Sequence, residues 1–166
     1  MGKIRIGIIG TGRIAKRFVQ DATRVEQAEI SCIYNPHITS AERFSKENGD
    51  IFYTDKLAEF YERTDGVYIA SPHATHVDYA MDMLKHGKHV LCEKPMAFRK
   101  EEVQQLTAYA KAQNCVLQEA VKTSFCPGFL AMMEVAKSGK IGEIRDVEAC
   151  FTKLIPENLR ELTDMQ

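Results

Sequence analysis

The segment GIIGTGRIA, residues 7–15, constrains this chain more than any other stretch. It follows an apolar run with strand character, KIRIGII (Lys3 to Ile9), and opens a segment with helical spacing, RIAKRFVQDA from Arg13. Gly10, Gly12 and Ala15 match G-x-G-x-x-G/A between a strand and a helix, the context that gives the pattern mechanical meaning. Gly10 allows the tight turn, Gly12 leaves no side chain where a pyrophosphate would approach, and Ala15 permits close helix packing. The first N–H groups of the helix are then offered to the anion. A dinucleotide site is expected here, with Thr11, Arg13 and Ile14 completing the turn.

Behind the turn, short apolar strands alternate with helices of about ten or more residues. EISCIY (Glu29 to Tyr34) is a strand, residues 39–48 a helix closed by Gly49, and IFYT a short strand. Asp55 is placed as N-cap of KLAEFYER. GVYIAS (Gly66 to Ser71) is a strand, and a helix from about His73 to Lys85 turns Val77, Ala80, Met81 and Leu84 to one face. HVLC (His89 to Cys92) and CVLQEAV (Cys115 to Val121) are strands around a helix from Arg99 to Gln113, with Val103, Leu106 and Ala110 inward. A helix from Pro127 to Ser138 and a strand from about Glu143 to Leu154 complete the pattern. The alternation predicts an α/β fold, a doubly wound parallel sheet with helices on both faces.

The charge balance narrows the partners. The formal net charge is -1 and no Lys/Arg block stands out, so a polyanion such as DNA or RNA is not the expected partner. No run approaches the roughly 20 apolar residues of a membrane span. The start, MGKIRIGIIG, passes directly into the strand, and Ile6 rather than Ser or Thr removes the myristoylation pattern. The 5 cysteines (Cys32, Cys92, Cys115, Cys126 and Cys150) are scattered without a C-x-x-C, which predicts a reducing, cytoplasmic setting and no zinc site.

Cofactor choice turns on the end of the second strand. An NAD-preferring site commonly carries an acid there for the adenosine ribose hydroxyls. Asn35 stands at this position. It does not repel a 2′-phosphate, and no arginine is supplied to bind one, so NAD and NADP both remain open.

The stretch HVLCEKPMAF, residues 89–98, ends a buried strand with a carboxylate, an ammonium and a proline in succession. GIIGTGRIA, then IASPHATHVDYAMDML, then GKHVLCEKPMA, resemble in order and spacing the glucose–fructose oxidoreductase / inositol dehydrogenase / MocA family, over roughly residues 3–151. The resemblance implies a Rossmann-type domain and NAD(P)-dependent hydride transfer on a sugar, cyclitol, dihydrodiol or similar hydroxy or keto compound. It further implies that Ser71 and Pro72 border the dinucleotide, that Glu93 lies near the nicotinamide ribose, and that Lys94 stands beside the reacting carbon. His76 matches a family histidine for which ligand contact and a local structural role are equally open. Independently of the resemblance, Gly10, Ser71, Glu93 and Lys94 all follow C-terminal strand ends, where ligands of open parallel sheets bind. An ammonium there stabilises charge developing on the substrate oxygen. Pro95 fixes the backbone as the strand ends.

After the next strand, EAVKTSFCP (Glu119 to Pro127) resembles the family boundary between domains. Ser124 stands where many members carry an arginine. The expected organisation is a dinucleotide-binding domain over residues 1–121, then the beginning of an α+β substrate and oligomerisation domain over 122–166, truncated because family members run to about twice this length. That domain's sheet would support a homo-oligomer. The alternative expectation is a non-catalytic dinucleotide-binding or protein-interaction module.

Overall fold

The computed structural model describes residues 2–150 and 152. They fall into two compact units, divided between Lys122 and Thr123. The first unit holds six strands, β1 (Ile4–Ile9), β2 (Ala28–Tyr34), β3 (Tyr53–Thr54), β4 (Gly66–Ile69), β5 (His89–Cys92) and β6 (Leu117–Glu119). Between them run α1 (Arg13–Ala22), α2 (Ile38–Glu47), α3 (Leu57–Arg63), α4 (His76–Lys85) and α5 (Lys100–Ala112).

All strand pairs are parallel, in the order β3-β2-β1-β4-β5-β6. Parallel neighbours need a crossover, and crossover helices cover both faces of the sheet. Two adjacent residues display this. Ile8 and Ile9 point to opposite faces, as successive strand residues must. Ile8 packs in a cluster with Ala15 and Val19 of α1 and Ala41 and Phe44 of α2. Ile9 belongs to the other layer, with Phe60 of α3, Met83 and Leu84 of α4, and Leu106 of α5. This is the doubly wound α/β arrangement the sequence predicts.

The sheet's left and right halves are tied at β1 by more than the ladder. Arg5 Nη2 pairs with Asp65 Oδ1 at 2.6 Å, while the Arg5 backbone N–H donates to Asp65 Oδ2 at 3.0 Å. The guanidinium bond holds the Asp65 carboxyl below its ordinary range, at about 2. A carboxylate with a lowered folded value adds stability above its unfolded value of about 3.9 and loses it as pH falls through the folded one. Both side chains are more than a third exposed, so solvent screens most of the effect. Asp65→Asn is expected to lower Tm at pH 7 by roughly 1–3 °C. In melts recorded down a pH series, the gap should close between about pH 5 and pH 2; a constant gap would assign the loss to something other than this charge.

Several local expectations are corrected. Asp55 does not cap α3: Lys56 occupies the N-cap position, and its N–H donates to the Thr54 hydroxyl at 3.0 Å, so a residue upstream closes this turn. The helix expected from His73 is a 3-10 turn over His73–Thr75 followed by α4. In α4 the fully buried stripe is His76, Ala80, Met83 and Leu84, with Val77 and Met81 only partly covered. Val103, in the first turn of α5, is 38% exposed, whereas Leu106 and Ala110 are buried. Cys115 lies just before β6 rather than within it.

In the second unit, α6 spans Pro127–Lys137, with Pro127 at its start, where the missing N–H costs nothing. Gly139, at φ +74°, follows its end. The strand expected from Glu143 to Leu154 is not formed over residues 143–150; a strand exists only as one side of a ladder, and alternation alone supplies no partner. Phe151, Lys153 and Leu154 lie outside the described residues. Among the described residues, no helix is long and apolar enough to cross a membrane.

Candidate functional site

The strand order reverses between β1 and β4, the point at which open parallel sheets bind ligands beyond their C-terminal ends. The residues after β1, β2, β4 and β5 converge on that edge.

The turn after β1 is held by close backbone contact. Gly10 has φ +104°, and a Cβ placed on it would lie 2.4 Å from the Ala70 carbonyl oxygen, at the end of β4. Only glycine suits both constraints. The Gly10 N–H donates to the Tyr34 carbonyl at 3.0 Å, which ties the turn to β2 as well. Gly12 is the N-cap of α1, and a Cβ there would meet nothing within 4 Å. The space before the helix N-terminus is therefore open, as a pyrophosphate would require. Ala15 is fully buried against the sheet, while Arg13 and Ile14 are exposed at the mouth and Thr11 is half-buried.

Asn35 supports this turn from β2. Its Nδ2 donates to the Thr11 hydroxyl at 2.9 Å, and its Oδ1 accepts the His37 N–H at 2.9 Å. The amide therefore fastens the glycine turn to the entry of α2. It brings no charge to the position where an NAD-preferring site carries an acid.

The third contributor is the turn after β4. The Thr75 hydroxyl donates to the Pro72 carbonyl at 2.8 Å and lies 2.8 Å from the Ser71 hydroxyl. His76 is fully buried. Its Nε2 lies 2.9 Å from the Ser71 carbonyl and its Nδ1 2.8 Å from the Pro95 carbonyl. Both ring nitrogens face backbone oxygens.

The fourth is the turn after β5. Glu93 Oε1 accepts from the Tyr68 hydroxyl at 2.6 Å, and Glu93 Oε2 lies 3.2 Å from the Lys94 N–H that donates to it. Tyr68 stacks on Phe18 with ring centroids 3.8 Å apart. Burial, with the Glu93 bond and charge adding to it, pushes the Tyr68 phenol well above its ordinary range, so it stays a donor to Glu93. Met96 N–H donates to Glu119 Oε1 at 2.7 Å, from the end of β6. Lys94 is exposed, its peptide bond to Pro95 is cis, and its ammonium makes no ion pair among the described residues.

Gly10, Thr11, Gly12, Asn35, Ser71, Pro72, Glu93 and Lys94 thus lie on turns at the C-terminal ends of the strands, with Arg13 and Ile14 in the first turn of α1 beside them. Sequence reasoning missed the part of Tyr68, which reaches Glu93 from an interior strand position, and the bond from Met96 to Glu119. Neither leaves a local sequence signal, because each partner is fixed only by the pairing of strands.

Comparison with known proteins agrees with this geometry. Residues 4–121 match the GFO/IDH/MocA oxidoreductase family with an NAD-binding Rossmann fold, and the chain belongs to that family. It is 37% identical over 150 residues to the scyllo-inositol 2-dehydrogenase (NADP(+)) IolU of Bacillus subtilis, covering 89% of this chain and 45% of that protein. With the trans-1,2-dihydrobenzene-1,2-diol dehydrogenase of Mus musculus it shares 31% identity over 156 residues, covering 89% of this chain and 46% of that one. Among solved structures, a 3-ketoreductase of Actinomadura kijaniata in complex with NADP and TDP-benzene superposes with a TM-score of 0.77 at 28% identity, over 87% of this chain and 45% of that one. The chain spans less than half the length of these relatives.

Proposed function

We propose that the chain is the dinucleotide-binding part of an NAD(P)-dependent oxidoreductase that transfers hydride between the nicotinamide and a hydroxy or keto carbon of a sugar- or cyclitol-like compound. The observation that carries this reading is the convergence of the open glycine turn and the exposed Lys94 ammonium on the edge of the sheet where its strand order reverses. The names of the relatives support the substrate class, two of them being polyol or diol dehydrogenases.

The residues present suit a dinucleotide. The turn from Gly10 to Ile14 would receive the pyrophosphate on backbone N–H groups at the start of α1. Asn35 would lie toward the adenosine ribose, Ser71 and Pro72 would border the dinucleotide, and Glu93, held by Tyr68, would accept from the nicotinamide ribose. When bound, the nicotinamide accepts or supplies the hydride. Lys94 would hold the substrate oxygen, where an ammonium stabilises the negative charge that develops as the C–H bond forms or breaks. His76 enters as a strut between turns rather than as a ligand contact. A homo-oligomer built on a second-domain sheet is expected from the family resemblance alone, since residues 143–150 form no strand to support it.

Titration with NADH and with NADPH, followed by nicotinamide fluorescence, tests the reading. The chain has no tryptophan to interfere. Saturable binding of either is expected, and binding of neither would overturn it. With no carboxylate at position 35, NADPH should bind at least as well as NADH. Asn35→Asp would set a charge against the 2′-phosphate and remove the donor to Thr11, so NADPH affinity should fall about 10-fold or more relative to NADH. An unchanged ratio would place the ribose elsewhere.

A further inference from the structure

We propose that His76 and Glu119 form a pair of positioning residues that fix the turn carrying Lys94, and through it the nicotinamide end of the site; this rests on the dinucleotide reading above. The two side chains grip consecutive residues from opposite sides in sequence. His76 Nδ1 meets the Pro95 carbonyl at 2.8 Å, and Glu119 Oε1 takes the Met96 N–H at 2.7 Å. His76 comes from the segment after β4 and Glu119 from the end of β6, so both neighbours of β5 hold its turn.

Burial gives the contacts weight. His76 is fully buried and Met96 nearly so, at 8% exposure. A buried polar group left without its partner loses the full desolvation cost, which makes the bonded arrangement the one the turn keeps. His76 also faces the Ser71 carbonyl through its second nitrogen, at 2.9 Å. One ring therefore lies between the turns after β4 and β5, which border the nicotinamide end, and donates to a carbonyl through whichever nitrogen carries the proton. The imidazole of His73 lies edge-on to it, with centroids 5.3 Å apart, and no carboxylate pairs with it among the described residues. Lys94 is the residue immediately before this gripped pair. Its backbone is set by the clamp while its ammonium stays exposed.

The clamp does not touch the turn from Gly10 to Ile14 or Asn35, which receive the adenosine and pyrophosphate half. The expected signature is thus a split between the two halves of the cofactor. The variants are His76→Phe, His76→Gln, Glu119→Ala and Glu119→Gln, and the probes are NADH, NADPH and ADP-ribose, which lacks nicotinamide. His76→Phe and Glu119→Ala should each weaken the better-bound dinucleotide about 10-fold while ADP-ribose binds as it does to the wild type. Glu119→Gln keeps an oxygen for the Met96 N–H and should restore most of the loss. His76→Gln keeps an N–H donor for a carbonyl but lacks the ring that fills the space between the turns, and should fall between. Equal losses for dinucleotide and ADP-ribose would overturn the proposal, because a general weakening of the fold does that. A Glu119→Gln variant as poor as Glu119→Ala would also overturn it, by showing that charge and not the bond to Met96 matters. Should the wild type bind neither NADH nor NADPH, the dinucleotide reading itself fails, and amide exchange then decides the tether separately. Met96 should exchange faster in Glu119→Ala and not in Glu119→Gln, and equal protection in both would remove the clamp.

Discussion

Lys94→Ala is expected to lower kcat for hydride transfer by about 10²–10³-fold while leaving the Kd of the dinucleotide near its wild-type value. The split follows from where the side chain stands. The anion-binding turn and Asn35 owe nothing to Lys94, and among the described residues no ion pair of its ammonium is lost on truncation. What would disappear is a positive charge beside the substrate oxygen, which matters most as charge develops on that oxygen while the C–H bond forms or breaks. Such an interaction lowers kcat and kcat/KM together when removed. Lys94→Arg should recover little, since a planar fork does not replace a point charge on a flexible stem. Turnover can be followed by nicotinamide absorbance with scyllo-inositol and related cyclitols and sugars as substrates. An alanine variant that turns over like the wild type would remove Lys94 from the chemistry. An equal loss of dinucleotide binding would make it a cofactor contact instead.

The second large effect belongs to the glycine turn. Gly10→Ala would place a methyl group 2.4 Å from the Ala70 carbonyl oxygen while holding a β-carbon at φ +104°. Backbone strain of this kind costs about 1–3 kcal/mol, and overlap with a backbone atom that cannot move aside adds about 1–3 more. The melting temperature should fall by roughly 5–15 °C, and dinucleotide binding should be lost with the shape of the turn. Gly12→Ala is the matching control. Its Cβ meets nothing within 4 Å, so the melt should be unchanged while affinity drops, because the methyl group fills the space in front of α1. A Gly10→Ala protein that melts and binds as the wild type does would contradict the geometry of the turn.

What could be read in advance follows from how local each feature is. The motif of the anion turn lies within nine consecutive residues, between the strand before it and the helix after it, so pattern and position sufficed to find it, while its ties to Tyr34, Asn35 and Ala70 carry no local signal. The alternation of strands and helices determined the parallel sheet for the same reason. The hold on the turn after β5 was not legible, because Tyr68, His76 and Glu119 lie 25, 19 and 23 residues from the atoms they bond. Nothing in the spacing of those residues foretells the encounters, which follow only once β4, β5 and β6 stand side by side. Asp55 suits a cap by residue type, but the path of the chain puts Lys56 at that position and gives its N–H to the Thr54 hydroxyl. Over residues 143–150 the expected strand has suitable alternation, but among the described residues no neighbour turns the pattern into a ladder.

The unequal reach of these contacts bears on how such a domain is put together. The cradle for the anion needs little more than β1, α1 and the end of β2, a unit that closes early in the chain. The end that carries Lys94 needs three strands drawn from widely separated segments. Contacts drawn from separate segments can be lost at more positions than contacts within one, so scattered substitutions should disturb the reacting end more readily than the anion cradle.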